Sequence, residues 1–401
     1  MLTGTRNTAM TGGGRTPRGI VIVSGILFWY PLAGVSYQFL HYLIGLQALG
    51  YDVYYIEESG GKWVYDPDLN DISGDPTGNI SRIAQVLYAH GLGDRWSYSG
   101  PDGRLYGLSE SRLGQVFRDA DVLLNVTASQ QIEEKWLSIP RRIYIESDPF
   151  PAQVKAAAGD AFTLQMLAAH DTHFTFGENV GTDRCLLPHA GITWLPTRQP
   201  VDVPHWFDAN RPAGPRFTTV TTWHNKGKDL EHDGETYYWT KDREYLRFVE
   251  LPRFRPGLFE LAVGTDAESE ALLDQNGWRH PWTSLAVSRD MATYRRYIQG
   301  SLGEFTVARD QYVRPRTGWF SDRSACYLAA GRPVITQDTG FTATLPTGTG
   351  LFAFTTLDDI LAAVDAIRSD YPRHSRAAKE IADEYFAAPR VLASLMERAG
   401  L

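Results

Sequence analysis

A chain of 401 residues is longer than one ordinary domain and points to two or three. Its composition is that of a globular protein, and its formal charge of -8 argues against a nucleic-acid backbone as main partner. Two cysteines cannot build a disulfide framework and fit a reducing, cytoplasmic setting, and no apolar run reaches the roughly 18 residues of a membrane span.

Residues 1–17 are rich in Gly and Thr and lack an apolar centre, so they read as a flexible tail rather than a signal peptide. "RGIVIVSGILFWYPLAGVSYQFLHYLIGLQALGYDVYYIEE" follows. Its pattern predicts a buried strand over 20–23 and a helix over 36–49 with Phe39, Leu40, Leu43 and Leu46 on one side. Gly50 stops the helix, and a second strand covers 53–56. A strand, helix and strand in that order imply a parallel sheet with right-handed crossovers. The alternation continues through a helix over 79–90, strands "DVLLNV" and "RRIYIE", helix "AFTLQMLAAH" and strand "THFTFG". Asn125-Val126-Thr127 matches a glycosylation pattern but sits at a strand end with no secretory signal before it.

The pattern breaks at "PTRQPVDVPHWFDANRPAGPR", a proline-rich joint expected to act as a hinge. A second alternation then begins at "FTTVTTW" and runs through "LFELAVG", "DAESEALLDQNG", "RDMATYRRYIQG", "GEFTVA", "GLFAF" and "TLDDILAAVDAIRSD". The expected division is therefore a first α/β domain over 18–199, a linker over 200–215, a second over 216–374 and a terminal helix over 375–401. Two such sheets facing each other leave a cleft at the carboxyl ends of their strands, where ligands of open parallel sheets sit.

"GWFSDRSACYLAAGRPVITQDTGF", from Gly318 to Phe341, carries the strongest signal. Ser321 caps a short helix, Gly331 ends it, Pro333 opens a strand, and Asp338-Thr339-Gly340-Phe341 turns the chain after it. A helix N-terminus offers free N–H groups to phosphate, and Ser321, Ser324 and Arg323 add donors. Asp322 would repel phosphate and suits a ribose or sugar hydroxyl, or pairing with an arginine; Gly340 permits close backbone approach. The bland alternative is an ordinary N-cap.

This stretch resembles the donor-binding segment of GT-B glycosyltransferases of the family 1/4 type, and "FTTVTTWHNKGK" resembles the first strand and phosphate-side loop of the same domain. The resemblance implies the GT-B fold: α/β, two Rossmann-like domains facing a cleft, with a C-terminal helix crossing back to the first. It departs at Cys326, which stands where many members carry a ribose-binding glutamate. It implies Trp223, His224, Lys228, Arg309, Ser321, Asp322, Arg323, Ser324, Thr339, Gly340 and Phe341 on the donor side, with Lys226 and Arg316 as further cations. Trp278 to Trp282 stand where a nucleobase could stack; two buried aromatics are an equal reading.

On the acceptor side, Phe28, Trp29 and Tyr30 are a heavy aromatic load for a loop, suited to stacking on an acceptor or to packing under the joint. Asp148 and Glu146 end a buried strand, and His173 lies near the next one. Each is a catalytic candidate for deprotonating an acceptor hydroxyl, with helix capping the rival role for Asp148 and a buried hydrogen-bonded histidine the rival reading of His173. The scattered His and Cys have no metal-ligand spacing, so no metal is expected.

These readings point to a metal-independent hexosyltransferase moving a sugar from a UDP-, GDP- or TDP-linked donor to a small-molecule or glycan hydroxyl or amine. No separate cofactor is expected; bacterial secondary metabolism or glycan biosynthesis is the expected setting, and a homodimer is compatible. A nucleotide-sugar epimerase of the same fold and a non-catalytic nucleotide-sugar-binding protein are the alternatives.

Overall fold

The computed structural model describes residues 17–225 and 227–401. The tail assigned to residues 1–17, apart from Pro17, and the side chain of Lys226 therefore lie outside the described residues.

The first domain is an eight-stranded sheet. From one edge its strands are Trp194–Pro196, Thr172–Thr175, Arg141–Glu146, Val122–Val126, Ile20–Ser24, Asp52–Glu58, Trp96–Ser99 and Leu105–Gly107. All neighbours are parallel except the last pair. The central strands are apolar runs because helices cover both faces; Val21, Ile22 and Val23 are fully buried. Strand order reverses beside Ile20–Ser24, so the chain leaves that strand and Val122–Val126 in opposite directions along the sheet and a crevice opens at their carboxyl ends. The second domain repeats the design with six strands, all parallel: Arg279–Trp282, Phe259–Gly264, Phe217–Thr222, Gly303–Thr306, Val334–Gln337 and Leu351–Phe354.

The proline-rich joint is packed, not free. It contains the short helix Val203–Trp206, and Trp206 is fully buried against Tyr37 and Tyr294, one from each domain. Its indole N–H donates to His41 Nε2 at 3.0 Å. Burying an indole with its N–H satisfied fixes this segment to the first helix, Ala33–Ala48.

The terminal segment is not one helix. Helix Tyr371–Ile381 runs into a wider π-type turn at Ala382–Phe386, and a second helix, Ala388–Arg398, begins with Pro389 in its first turn. The break is held by Val201, whose N–H donates to Phe386 O at 2.7 Å and whose carbonyl accepts from Ala388 N at 2.9 Å. Proline cannot donate to a continuing ladder, so the chain bends there. The last helix then lies on Ala33–Ala48 of the first domain. Leu392, Leu395 and Met396 join Leu43 and Leu46 in one core. The crossing is close because position 45 is glycine: a Cβ there would meet Leu392 Cδ1 at 2.5 Å and Ala388 Cβ at 2.8 Å.

Candidate functional site

The cleft between the sheets is crossed by side chains from both domains. Asp148 stands just past the carboxyl end of Arg141–Glu146. Its Oδ1 accepts from Arg309 Nη1 at 3.1 Å and from the Tyr312 hydroxyl, both of the second domain. The Trp319 indole N–H donates to Ser147 O at 2.9 Å. Lower in the cleft, Asn179 donates through Nδ2 to Arg316 O and Gly340 O, at 3.1 and 3.0 Å. Gln199 Nε2 donates to Ser321 O at 2.8 Å.

Two cavities open on either side of Asp148. The larger, about 360 Å³, lies between Thr127, Tyr144, Glu146 and Lys155 of the first domain and Lys228 and Trp239 of the second. The smaller, about 80 Å³, is lined by Gln38, Ser147, Phe176, Trp319 and Asp322. Asp148 and Ser147 line both.

Behind the smaller cavity lies a charged cluster: Lys241, Arg309 and Arg323 with Glu304, Asp148 and Asp322. Arg323 Nε donates to the fully buried Glu304 at 2.5 Å, and Arg309 is taken by Asp148. Lys241 and Asp322 have no ion-pair partner within bonding distance among the described residues. Lys241 is 5% exposed. Burial holds its ammonium well below the usual lysine range; Arg323 and Arg309 push the same way, against Glu304 and Asp322. Burial raises the Asp322 carboxyl, with Arg323 and Lys241 opposing. An unpartnered buried cation beside a helix N-terminus is strongly unfavourable unless something anionic joins it.

Lys241 was not singled out in the sequence. "YYWTKDREYL" reads as the start of an ordinary surface helix, and only folding brings it within reach of the charges on Arg323, Arg309, Glu304 and Asp322. The one available signal was a lone lysine between apolar Trp239 and Tyr245, both buried.

Several expected donor residues are engaged elsewhere. Arg323 turns inward: besides Glu304 it donates to Val220 O at 2.8 Å and Thr306 Oγ1 at 2.9 Å, tying the helix to two strands. It is a brace, not a free phosphate ligand. Ser321 and Ser324 are buried, and Ser321 makes no side-chain cap. Gly340 has φ 91°, and a Cβ there would meet Asn179 Nδ2 at 2.7 Å, so its open space is filled by the other domain. Thr339 Oγ1 donates to Trp319 O, and Phe341 packs on Phe320 in the core. Trp223 is buried, stacked on Tyr245, with its N–H on Ser269; His224 is exposed between Asp266 at 2.8 Å and Asp242 at 3.4 Å. Lys228 reaches the larger cavity, lying over the Trp239 ring. Trp278 is core, while Trp282 is exposed.

The acceptor-side expectations divide in the same way. Phe28 is fully buried and stacks on Tyr98. Trp29 is tied to the Trp63 carbonyl, and Tyr30 leans on Tyr65; none of the three lines either cavity. Their loop is clamped by the buried Glu57, which accepts from Phe28 N at 2.9 Å and Trp29 N at 2.7 Å. The His173 Nε2–H donates to the Leu167 carbonyl at 2.8 Å, and the ring packs between Tyr144 and Trp194 outside the cavities. Glu146 does line the larger cavity. Burial pushes its carboxyl up to about 8, which favours the protonated form. Of the three catalytic candidates, Asp148 and Glu146 line the larger cavity, and of these Asp148 is partly exposed while Glu146 is buried.

No family model matches the chain, and no curated protein sequence matches it. Solved structures do match over nearly the whole length. Anabaena Alr3699/HepE in complex with UDP is similar at TM-score 0.53 and 9% identity, over 95% of this chain and 99% of that one. An alpha-glucosyltransferase in complex with UDP is similar at TM-score 0.55 and 10% identity, over the same shares. The alpha-glucosyltransferase in complex with UDP and a 13-mer DNA reaches TM-score 0.56 at 9% identity, again over 95% and 99%. The similarity covers nearly the whole chain, and the chain has the GT-B fold.

Proposed function

We propose that this chain is a glycosyltransferase that uses a nucleoside diphosphate sugar, with a hexose donor such as UDP-glucose. The observation that carries the reading is Lys241, a buried lysine with no ion pair among the described residues, close enough to Arg323 and Asp322 of the helix Asp322–Ala329 to be influenced by their charges. A diphosphate supplies the missing countercharge, and the helix N-terminus adds free N–H groups. The similarity to UDP-bound transferases supports uridine as the base.

In this reading the acceptor oxygen attacks the anomeric carbon while the bond from that carbon to the diphosphate oxygen breaks. The electron pair leaves on the diphosphate, where Lys241 and the helix N-terminus stabilise the developing charge without a metal. Asp322, unpartnered in the smaller cavity, binds a donor hydroxyl. Asp148 takes the acceptor proton through Oδ2, while Arg309 and Tyr312 hold Oδ1 and fix its position. Closing these contacts across the cleft aligns the two substrates.

The test is calorimetry with UDP and UDP-glucose on wild type and Lys241→Met. Micromolar binding by the wild type, weakened at least about tenfold in the variant, supports the reading. No binding to the wild type, or equal binding by both, overturns it. Release of UDP only in the presence of an acceptor separates transfer from epimerisation and from binding without turnover.

A further inference from the structure

The larger cavity has a charge pattern of its own. Lys155 and Lys228 stand on its two lips, one from each domain, and neither has an ion pair among the described residues. The carboxylates beside them do not offset this charge. Asp148 is taken by Arg309, and burial favours the protonated form of Glu146. In a chain of net charge -8, this cavity is bounded by two exposed lysines, neither in an ion pair among the described residues.

Glu146 adds a second observation. It is 5% exposed, and its Oε2 accepts from Thr175 Oγ1 at 2.6 Å and Gln153 Nε2 at 2.7 Å. Its Oε1 has no partner among the described residues. With both protein donors on Oε2, the proton belongs on Oε1, where it is a hydrogen-bond donor lacking an acceptor. A buried polar group left in this way costs stability unless a ligand completes it.

We infer that this cavity receives an acceptor that is itself anionic: a sugar or polyol bearing a phosphate or carboxylate, with that group between Lys155 and Lys228 and a hydroxyl reaching Asp148. The inference rests on the glycosyl-transfer reading and names its substrate class. The volume, about 360 Å³, suits a single charged sugar unit rather than a polymer segment. Glu146 donates from the floor, and the Trp239 ring, over which Lys228 lies, forms one wall.

Titrating glucose 6-phosphate, glucuronate and glucose into the UDP-saturated protein tests this. The two anions are expected to bind at least about tenfold more tightly than glucose, and Lys155→Gln/Lys228→Gln to abolish that difference while leaving UDP affinity unchanged. Both lysines are exposed, so this variant should fold, and its melting temperature checks that it does. Glu146→Gln, which keeps a donor, should bind the anions at pH 7; Glu146→Ala should not. Between pH 7 and 9 wild-type affinity should fall as Glu146 loses its proton, and Glu146→Gln should remove that fall. Tyr144 and Cys185, the other groups against Glu146, are pushed up by burial, Cys185 to about 11, and Asp148 is held by Arg309. Equal binding of glucose, an unchanged preference in the double variant, or a loss of UDP affinity equal to the loss of anion affinity would overturn the inference while leaving donor use intact. A wild type that takes no UDP removes the glycosyl-transfer reading itself.

Discussion

Asp148 and Arg309 meet across the cleft at 3.1 Å, one from each domain, with the Arg309 guanidinium lying 3.6 Å over the centre of the Trp239 ring. The pair joins the two walls of the site at the point where both cavities begin. It leaves one carboxylate oxygen of Asp148 facing the cleft, and makes that oxygen's position depend on domain closure.

Asp148→Asn keeps the size of the side chain and removes its charge. Turnover should fall at least about a hundredfold with UDP affinity retained, as expected for a lost proton acceptor. Tyr312→Phe, which removes a fixing hydroxyl and leaves the carboxylate, should cost less. Steady-state rates beside UDP calorimetry check both; normal turnover by Asp148→Asn would end its catalytic assignment.

Lys241→Met should weaken UDP binding yet raise the melting temperature of the free protein, because it removes an unpartnered buried charge. The linkage sign agrees. A lysine whose folded pKa is depressed binds its proton more weakly when folded, so wild-type stability rises with pH from that depressed value up to about 10.4. The variant should lose that part of the slope, measured by denaturant unfolding from pH 6 to 10.

Arg323→Met should act on stability before it acts on binding. It strands Glu304, which is fully buried, and breaking such a pair from one side costs about 3–5 kcal/mol. Arg323→Met/Glu304→Met should recover much of this loss. Chemical unfolding of the three variants checks the cycle; a stable Arg323→Met with weakened UDP binding would return Arg323 to the phosphate site.

Leu392→Ala tests the crossing helix. Leu392 is fully buried in the core of the first domain, so the cost should be about 2–5 kcal/mol. Because the helix belongs by sequence to the end of the second domain, both domains should melt together and earlier. A calorimetric trace that splits, with the first domain unmoved, would contradict the coupling.

Much of the architecture is legible in the sequence because it is locally encoded. The run Ile20 to Val23, the helix stop at Gly50 and the Gly331-Arg332-Pro333 boundary each follow from neighbours within a few residues. The short antiparallel pairs Val64–Asp66 with Asp71–Ser73 and Leu230–His232 with Glu235–Tyr237 carry little such signal, and the sequence reading passed over them. Pro389 does mark the break in the terminal helix, but the turn that results is fixed by Val201, far away in the chain.

The cleft was legible in the sequence, and the partners of the residues expected there were not. The chemistry of Arg323 depends on Glu304, that of Gly340 on Asn179, and that of Asp148 on Arg309; each partner lies far off in sequence. Residue type and local pattern alone determined that this chain forms two largely parallel α/β sheets with a cleft between them. Only the tertiary structure decided which polar groups are spent on one another and which have no partner among the described residues, like Lys241 and Asp322 without an ion pair and Glu146 Oε1 without a hydrogen bond, because burial and pairing are properties of the packed cleft and not of any segment that forms it.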